Sequence, residues 1–178
     1  MKELSLHILD IAKNSTKAEA SLVEITVDED EKNNSLKIVI ADDGAGMSEE
    51  FVKTVTNPFS TTRTTRKVGL GIPLFLLAAE QCGGGLEITS KEGVGTTVLA
   101  EFMYDHIDRA PLGDMASTVV TLVSGSPQTE FIYKHKKDSR EFLMDTRKIK
   151  EILEGVPIDS PEVITWLYNY IEEGINEL

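Results

Sequence analysis

The sequence predicts an α+β protein, and three observations carry the prediction. An amphipathic helical stretch opens the chain. Two β-hairpin signals flank an almost wholly apolar helical stretch, and short strands followed by helices close the chain. With 178 residues, 40% of them hydrophobic, the sequence is long enough for one substantial domain, or a domain with an appendage, around a real core.

Glu3–Ala18 (ELSLHILDIAKNSTKA) puts Leu4, Ile8, Ile11, Ala12 and Ser15 on one face at about 100° per residue. His7, Asp10, Asn14 and Lys17 fall on the opposite face, which reads either as a solvated surface or as the lining of a pocket. In the pocket reading Asp10 and Asn14 lie one turn apart and point the same way. An asparagine amide oxygen is a hard neutral ligand suited to Mg²⁺. A carboxylate one turn earlier can orient or deprotonate a water or hydroxyl near that metal.

Leu22–Val27 and Leu36–Ala41 are β-branched runs around an acidic, asparagine-containing turn, which is a hairpin signal. The second run is apolar at nearly every position, as expected of a strand central in its sheet or buried on both faces. It ends in Asp42-Asp43-Gly44-Ala45-Gly46-Met47. One reading is a glycine turn into a short helix capped by Ser48, with Glu49 and Glu50 in its first turn. The other is a strand end that aims a carboxylate into a cleft while glycines clear room for a flat ligand. A carboxylate only accepts hydrogen bonds, so it suits an exocyclic amine such as the N6 amino group of adenine.

In Asn57–Ala79 (NPFSTTRTTRKVGLGIPLFLLAA) a breaker pair precedes hydroxyl and cationic side chains, then Gly69-Leu70-Gly71 and an apolar block. A basic, glycine-hinged loop that opens into a buried helix suits polyphosphate, because first-turn amides lack intrahelical partners and carry partial positive charge. Arg63, Arg66 and Lys67 would neutralise phosphate charge, Ser60, Thr61 and Thr62 would donate to its oxygens, and Pro73 fits the first turn. Punctuation before a helix is the plainer reading of the same glycines. Ile72–Gln81, apolar almost all round, predicts a buried helix that stops at Cys82-Gly83-Gly84-Gly85. Leu86–Ser90 and Thr96–Phe102 form a second hairpin around Glu92-Gly93-Val94-Gly95, with Thr96 able to reach the same adenine through water.

Tyr104–Ser117 lacks periodicity and reads as a linker. Thr118–Val123, Thr129–His135 and Glu141–Met144 read as three short strands, and Thr146–Glu154 and Pro161–Glu177 as helices, the last capped by Asp159 or Ser160. Trp166, Tyr168 and Tyr170 fall in that last helix. Trp166 reads first as core and second as part of an aromatic docking face. The expected organisation is a domain at 1–104, a linker at 105–117 and an extension at 118–178.

A formal net charge of −12 argues against non-specific nucleic-acid binding and against an anionic membrane surface. The single cysteine, Cys82, excludes an internal disulfide and reads as a small buried residue near a helix end. No signal-peptide pattern opens the sequence and no apolar run is long enough to span a bilayer, so the expected location is the cytoplasm.

Taken in order, Asp10-x-x-x-Asn14 on a helix, Asp42-x-Gly44-x-Gly46 after a hairpin, the hydroxyl-rich basic loop ending in Gly-Leu-Gly, and Gly93-x-Gly95-Thr96 in a closing hairpin resemble the ATP-binding domain of the GHKL superfamily. That superfamily contains DNA gyrase, the Hsp90 chaperones, sensor histidine kinases and the MutL mismatch-repair proteins. The resemblance covers about residues 1–104 and implies ATP and Mg²⁺ as the bound groups. It implies that Asn14 holds Mg²⁺ on the phosphates and that Asp42 binds the adenine amino group, with Gly44 and Gly46 shaping the pocket. Residues 57–68, with Ser60, Thr61, Thr62, Arg63 and Lys67, would be the ATP lid, and Pro58–Arg63 looks most like the corresponding run of histidine kinases. Gly69, Leu70 and Gly71 would cradle the phosphates, and Gly93, Gly95 and Thr96 would close the base site. The implied fold is a two-layer α/β sandwich of the Bergerat type, with helices on one face of a mixed, mostly antiparallel sheet and a small C-terminal α+β extension.

Two positions depart from the family pattern. Hydrolysing and serine-kinase members place a glutamate four residues before the magnesium asparagine, and histidine kinases usually place another asparagine there; this sequence has Asp10. Asp10 is therefore the candidate base with a carboxyl one methylene shorter, and a shift of about 1 Å in reacting atoms costs on the order of a hundredfold in rate. Lys67-Val68 stand where the family has an earlier glycine, which implies a stiffer hinge and a Lys67 contact to phosphate. Thirteen residues precede Asn14, too few for the phospho-acceptor hairpin of a sensor kinase, and His7 is a poor acceptor on the nucleotide-facing helix. The stretch after the linker is short for a transducer domain that supplies a catalytic lysine.

Three functional expectations follow. The first is an ATP-binding regulatory protein that phosphorylates a partner in trans, like the stand-alone serine kinases that double as anti-sigma factors. The second is a binding switch that distinguishes ATP from ADP without turnover, and the third a weak autonomous ATPase. The expected partners are ATP or ADP and a protein that the sequence does not identify, with no nucleic acid and no membrane. A homodimer is left open.

Overall fold

The structure, a computed structural model, describes residues 2–56 and 69–178. Among them the order is α1 (Leu4–Lys17), β1 (Leu22–Asp30), β2 (Ser35–Asp42), α2 (Glu49–Val55), α3 (Gly71–Gln81), β3 (Gly85–Lys91), β4 (Gly95–Met103), α4 (Met115–Gly125), β5 (Glu130–Lys137), β6 (Arg140–Asp145), α5 (Thr146–Leu153) and α6 (Pro161–Asn176). The six strands make one sheet in the order β3-β4-β2-β1-β5-β6. Only β1 and β5 run parallel; every other neighbouring pair is antiparallel. Helices pack on one face of this sheet, which gives the expected α+β two-layer sandwich.

The period-2 pattern of the strands decides which face is covered. Val23, Ile25 and Val27 of β1 are buried, and so are their register partners Phe131, Tyr133 and His135 on β5. Across β2 and β4 the buried stripe continues as Ile40 opposite Val98, Ile38 opposite Ala100 and Leu36 opposite Phe102. The alternate positions carry polar side chains such as Glu24, and Lys37 pairs with Glu101 at 3.5 Å on that open face. Central placement of β2 matches its apolar composition. Val39 and Ala41 are only half-buried, however, so the strand is covered on one face rather than two.

Four sequence expectations change in the fold. Thr118–Val123, expected as a strand, lies within α4. Its β-branched residues suit either state. Here Asp114 caps the helix by accepting from the Ser117 amide at 2.8 Å, and Met115, Val119 and Leu122 recur at helical spacing to bury against α1 and α6. The helix over 72–81, expected to be buried, presents Leu74 and Leu77 outward, because it lies in a single layer over the sheet. Residues 105–117, read as a linker, include a strap on α1: Pro111 and Leu112 carbonyls accept from the Leu4 and Ser5 amides at 3.0 and 2.8 Å. These are first-turn donors that have no partner within the helix. Trp166, read first as core, is 49% exposed.

Ser48 caps α2 as its sequence context predicts, its hydroxyl accepting from the Phe51 amide. Pro161 opens α6 after Ser160. Cys82 ends α3 and is buried, and burial pushes its thiol pKa up. Residues 118–178 share the sheet through the β1–β5 pairing. Among the described residues no helix is long and apolar enough to cross a membrane.

One buried polar chain ties β1 to β5. His135 bridges the Tyr133 hydroxyl at 2.7 Å and Glu29 Oε1 at 2.5 Å. Burial pushes the Glu29 pKa up, but the hydrogen bond and charge of His135 outweigh it and hold the carboxyl below the ordinary glutamate value. A depressed folded-state pKa means that the unfolded chain takes up the proton first. The stabilising contribution is therefore complete above the ordinary glutamate range and is lost as pH falls through the lower folded-state value. Glu29→Gln is expected to lower urea stability at neutral pH, with the gap to the unsubstituted protein closing as the solution is acidified through that range. A gap that stays constant with pH would count against the pair.

Candidate functional site

A cavity of about 450 Å³ opens between α1, the end of β2, the start of α2, the first turn of α3 and the start of β4. The sheet supplies its floor through the register pair Ile40 and Val98, and Ile11, Met47, Phe51 and Ile72 supply apolar walls. Asn14, Ser15 and Lys17 line it from α1, Asp42 from the end of β2 and Thr96 from the start of β4. Such a container, apolar with a few convergent polar groups, is the usual form of a small-molecule site.

Asp42 is the most constrained polar group in this cavity. Its Oδ2 accepts from the Ser15 hydroxyl at 2.5 Å, and its Oδ1 accepts from the Gly44 amide at 2.9 Å and the Thr96 amide at 3.3 Å. The neighbouring Asp43 points elsewhere. It accepts from the Ser21 and Leu22 amides at 2.8 and 2.9 Å and from the Ser21 hydroxyl. These hydrogen bonds, that of the Ser21 side chain first, hold its carboxyl below the ordinary aspartate range. Asp43 thus pins the turn to β1, and Asp42 faces the cavity.

The glycine turn after β2 is locked from both sides. The Ala45 amide donates to Ala18 O at 2.9 Å and the Ala45 carbonyl accepts from the Gly93 amide at 2.7 Å. Gly46 has φ +69°, and a Cβ built there would stand 2.0 Å from the Lys91 carbonyl oxygen. No other residue fits without moving the β3–β4 turn. Gly44 sits against Ala18, with a built Cβ 2.9 Å from the Ala18 carbonyl oxygen.

The expected site residues distribute as follows. Asn14, Asp42, Gly46 and Thr96 meet at the cavity, with Gly44 behind Asp42. Asp10, one turn before Asn14, does not line the cavity. It stands beside the first residue of α3, where a Cβ on Gly71 would lie 3.5 Å from the Asp10 Cβ. Gly69 and Leu70 lead into α3, with Leu70 at its N-cap and largely exposed. Ser60, Thr61, Thr62, Arg63 and Lys67 lie outside the described residues, as do Asn57 and Arg66. His7, expected on the polar face of α1, is buried and stacks on Phe75 with ring centroids 5.1 Å apart. Burial pushes its pKa down against an opposing pull from Asp10.

Two hydroxyls that complete the site were not singled out from the sequence. Ser15 orients Asp42, and its signal was a polar residue on an otherwise apolar stripe. Ser90 accepts from the Met47 amide at 2.8 Å, donates to Gly95 O at 3.1 Å and lies 2.8 Å from the Thr96 hydroxyl. Its signal was hairpin register, which sets Ser90 opposite Thr96.

Residues 2–106 match the family described as histidine kinase-, DNA gyrase B-, and HSP90-like ATPase. The chain belongs to that family. Among its curated relatives, Histidine protein kinase DivJ of Caulobacter vibrioides is 32% identical over 95 residues, covering 51% of this chain and 16% of that protein. Sensor protein SrrB of Staphylococcus aureus is 32% identical over 104 residues, covering 56% of this chain and 17% of that protein. The chain thus spans less than a fifth of these kinases' length. Among solved structures, the MutL ATPase domain of Aquifex aeolicus complexed with ADP superposes with a TM-score of 0.50 at 15% identity, covering 86% of this chain and 70% of that one. At that identity the likeness speaks to the fold alone, over a larger share of the chain than the family match.

The lock on the glycine turn gives a graded expectation. Gly46→Ala should lower unfolding free energy by about 2 kcal/mol or more, from positive φ plus collision with Lys91. Gly93→Ala, at φ +75° but with nothing within 4 Å of the added Cβ, should lose only about 1 kcal/mol. Urea denaturation of the two variants checks the order, and equal losses would mean that the turn is not locked.

Proposed function

We propose that the chain is a cytoplasmic, ATP-binding regulatory protein that takes Mg²⁺-ATP into the cavity beside α1. The observation that carries the reading is the Asp42 carboxylate, oriented by three donors from three different elements and facing an apolar container. A carboxylate offers about four acceptor positions, so three donors leave one for an incoming amine. Adenine fits that demand, and its flat ring fits between Ile11, Met47, Ile72 and the floor. A purine with a carbonyl at the same place would set acceptor against acceptor and be rejected.

The chemistry of the donor set fits magnesium shared with phosphate. Asn14 offers one neutral oxygen, and among the described residues no group of three or more histidine, cysteine or acidic side chains forms a metal cluster. A metal held at Asn14 would draw its remaining oxygens from phosphate and water, as Mg²⁺ prefers. When bound, Mg²⁺ supplies neutralisation of phosphate charge. In this reading Gly69, Leu70 and Gly71 present the start of α3 to the phosphates, Ser60, Thr61, Thr62, Arg63 and Lys67 contact their oxygens, and Thr96 joins the base site. Residues 1–104 form the nucleotide unit and 118–178 an extension that meets the regulated partner.

A second reading, phosphoryl transfer to a hydroxyl on a partner protein, is favoured by one observation. Asp10, outside the cavity lining, stands beside Gly71, the first residue of α3, whose start faces the phosphates in this reading. There Asp10 takes the hydroxyl proton as general base. The relatives named kinases support this reading only by analogy.

Mg²⁺-ATP is expected to raise the melting temperature, GTP to raise it much less, and Asn14→Ala or Asp42→Asn to weaken ATP binding at least about tenfold. Absence of any shift with ATP or ADP would overturn the nucleotide site. With labelled ATP and co-purified protein, transfer of the γ-phosphate that disappears in Asp10→Asn supports the kinase. Binding that differs between ATP and ADP without transfer supports a switch.

A further inference from the structure

We infer that the outer face of α6 is a docking surface for a basic, arginine-bearing segment of another protein. Trp166 and Tyr170 lie one turn apart on this helix, 49% and 38% exposed, with ring centroids 5.1 Å apart and planes within 9°. The buried side of α6 is made by Val163, Leu167 and Ile171, so the stacked pair is not what holds the helix to the core.

The pair is nevertheless held in place. Tyr170 meets Phe142 of β6 edge-on at 5.4 Å, and Phe142 meets the fully buried Tyr133 at 6.4 Å. Tyr133 is in turn fixed by His135 and, through it, by Glu29. Trp166 and Tyr170 are thus the outer end of an aromatic ladder anchored in the sheet. Rings already packed against one another have less freedom to lose when a partner lands on them, and aromatic anchors of this kind dominate the energetics of many interfaces.

Charge selects the occupant. Glu162, Glu172 and Glu173 are exposed on the same helix and Glu177 at its C-cap, and α6 contains no lysine or arginine. Arg140 reaches it only at its far end, where a guanidinium nitrogen donates to Glu177 O at 3.4 Å. A second copy would bring this carboxylate rim against itself, in a chain whose formal charge is already −12. Phosphate-bearing surfaces, whether lipid or nucleic acid, are repelled for the same reason. A guanidinium satisfies both features, because it forks onto carboxylates and stacks flat on an indole face, where an ammonium only does the first as a point charge. The surface shares no residue with the cavity, and β6 is separated from β2 by β1 and β5. The inference therefore does not rest on the nucleotide reading.

Trp166 is the chain's only tryptophan, so its emission reports on this face directly. The full chain is titrated with an oligo-arginine peptide and with an oligo-lysine peptide of equal length. The arginine peptide should change Trp166 emission saturably and bind more tightly than the lysine peptide. Tyr170→Ala should weaken it about fivefold, as should Trp166→Ala followed through a label on the peptide. Glu162→Gln with Glu173→Gln should weaken it comparably, whereas Glu87→Gln with Glu92→Gln, at the opposite edge of the sheet, should not. No change in emission, equal affinity for both peptides, or equal losses from the two glutamate pairs would overturn the inference. So would self-association by sedimentation, or binding to anionic phosphatidylserine vesicles, that is lost in Trp166→Ala. Circular dichroism and melting of each variant confirm that the fold is retained.

Discussion

The Asp42 carboxylate is where α1, the end of β2 and the start of β4 are held in one arrangement. Ser15 comes from the helix, Gly44 from the turn and Thr96 from the neighbouring strand, and all three donate to it. A carboxylate with that many donors is oriented as well as stabilised, because tilting it breaks at least one hydrogen bond. The cavity follows from this constraint. Its apolar lining combines buried core residues of α1, α3 and the sheet with Met47 and Phe51 from the turn and α2.

The neighbouring Asp43 shows how one residue of register divides two identical side chains between tasks. Asp43 caps the start of β1, and Asp42 is turned toward the helix layer. The glycine turn between them and α2 then has no freedom to drift, since Ala45 is bonded to Ala18 on one side and Gly93 on the other. The cavity wall at this turn is therefore tied by backbone hydrogen bonds to the end of α1 and to the β3–β4 turn.

The C-terminal part extends both layers. Parallel pairing of β5 on β1 carries the buried stripe outward, and α4 bridges α1 and α6 over it. The same part of the chain carries the aromatic ladder from Tyr133 to Trp166, so the exposed rings of α6 are positioned by β5 and β6, the strands that continue the sheet beyond β1. The acidic character of α6 and the rigidity of its aromatic pair are separate properties of one surface, the first written in the sequence and the second imposed by packing.

Local chemistry was legible in the chain. The two hairpins, the Ser48 cap, the Pro161 start and the glycine stop after α3 depend on neighbours a few residues away, and each appears where the residues call for it. The family, with its α+β sandwich, could be read because four short motifs keep their order along the chain. Longer-range choices could not. Thr118–Val123 carries β-branched residues compatible with either state, and only burial between α1 and α6 makes it a helix. Ser15 and Ser90 look like ordinary hydroxyls until folding sets one against Asp42 and the other against Thr96. The sequence by itself determined the elements and the identity of the groups available to a ligand. Tertiary structure decided which aspartate faces the cavity, which serines orient it and that Trp166 stays in solvent, because those outcomes depend on contacts between residues far apart in the chain.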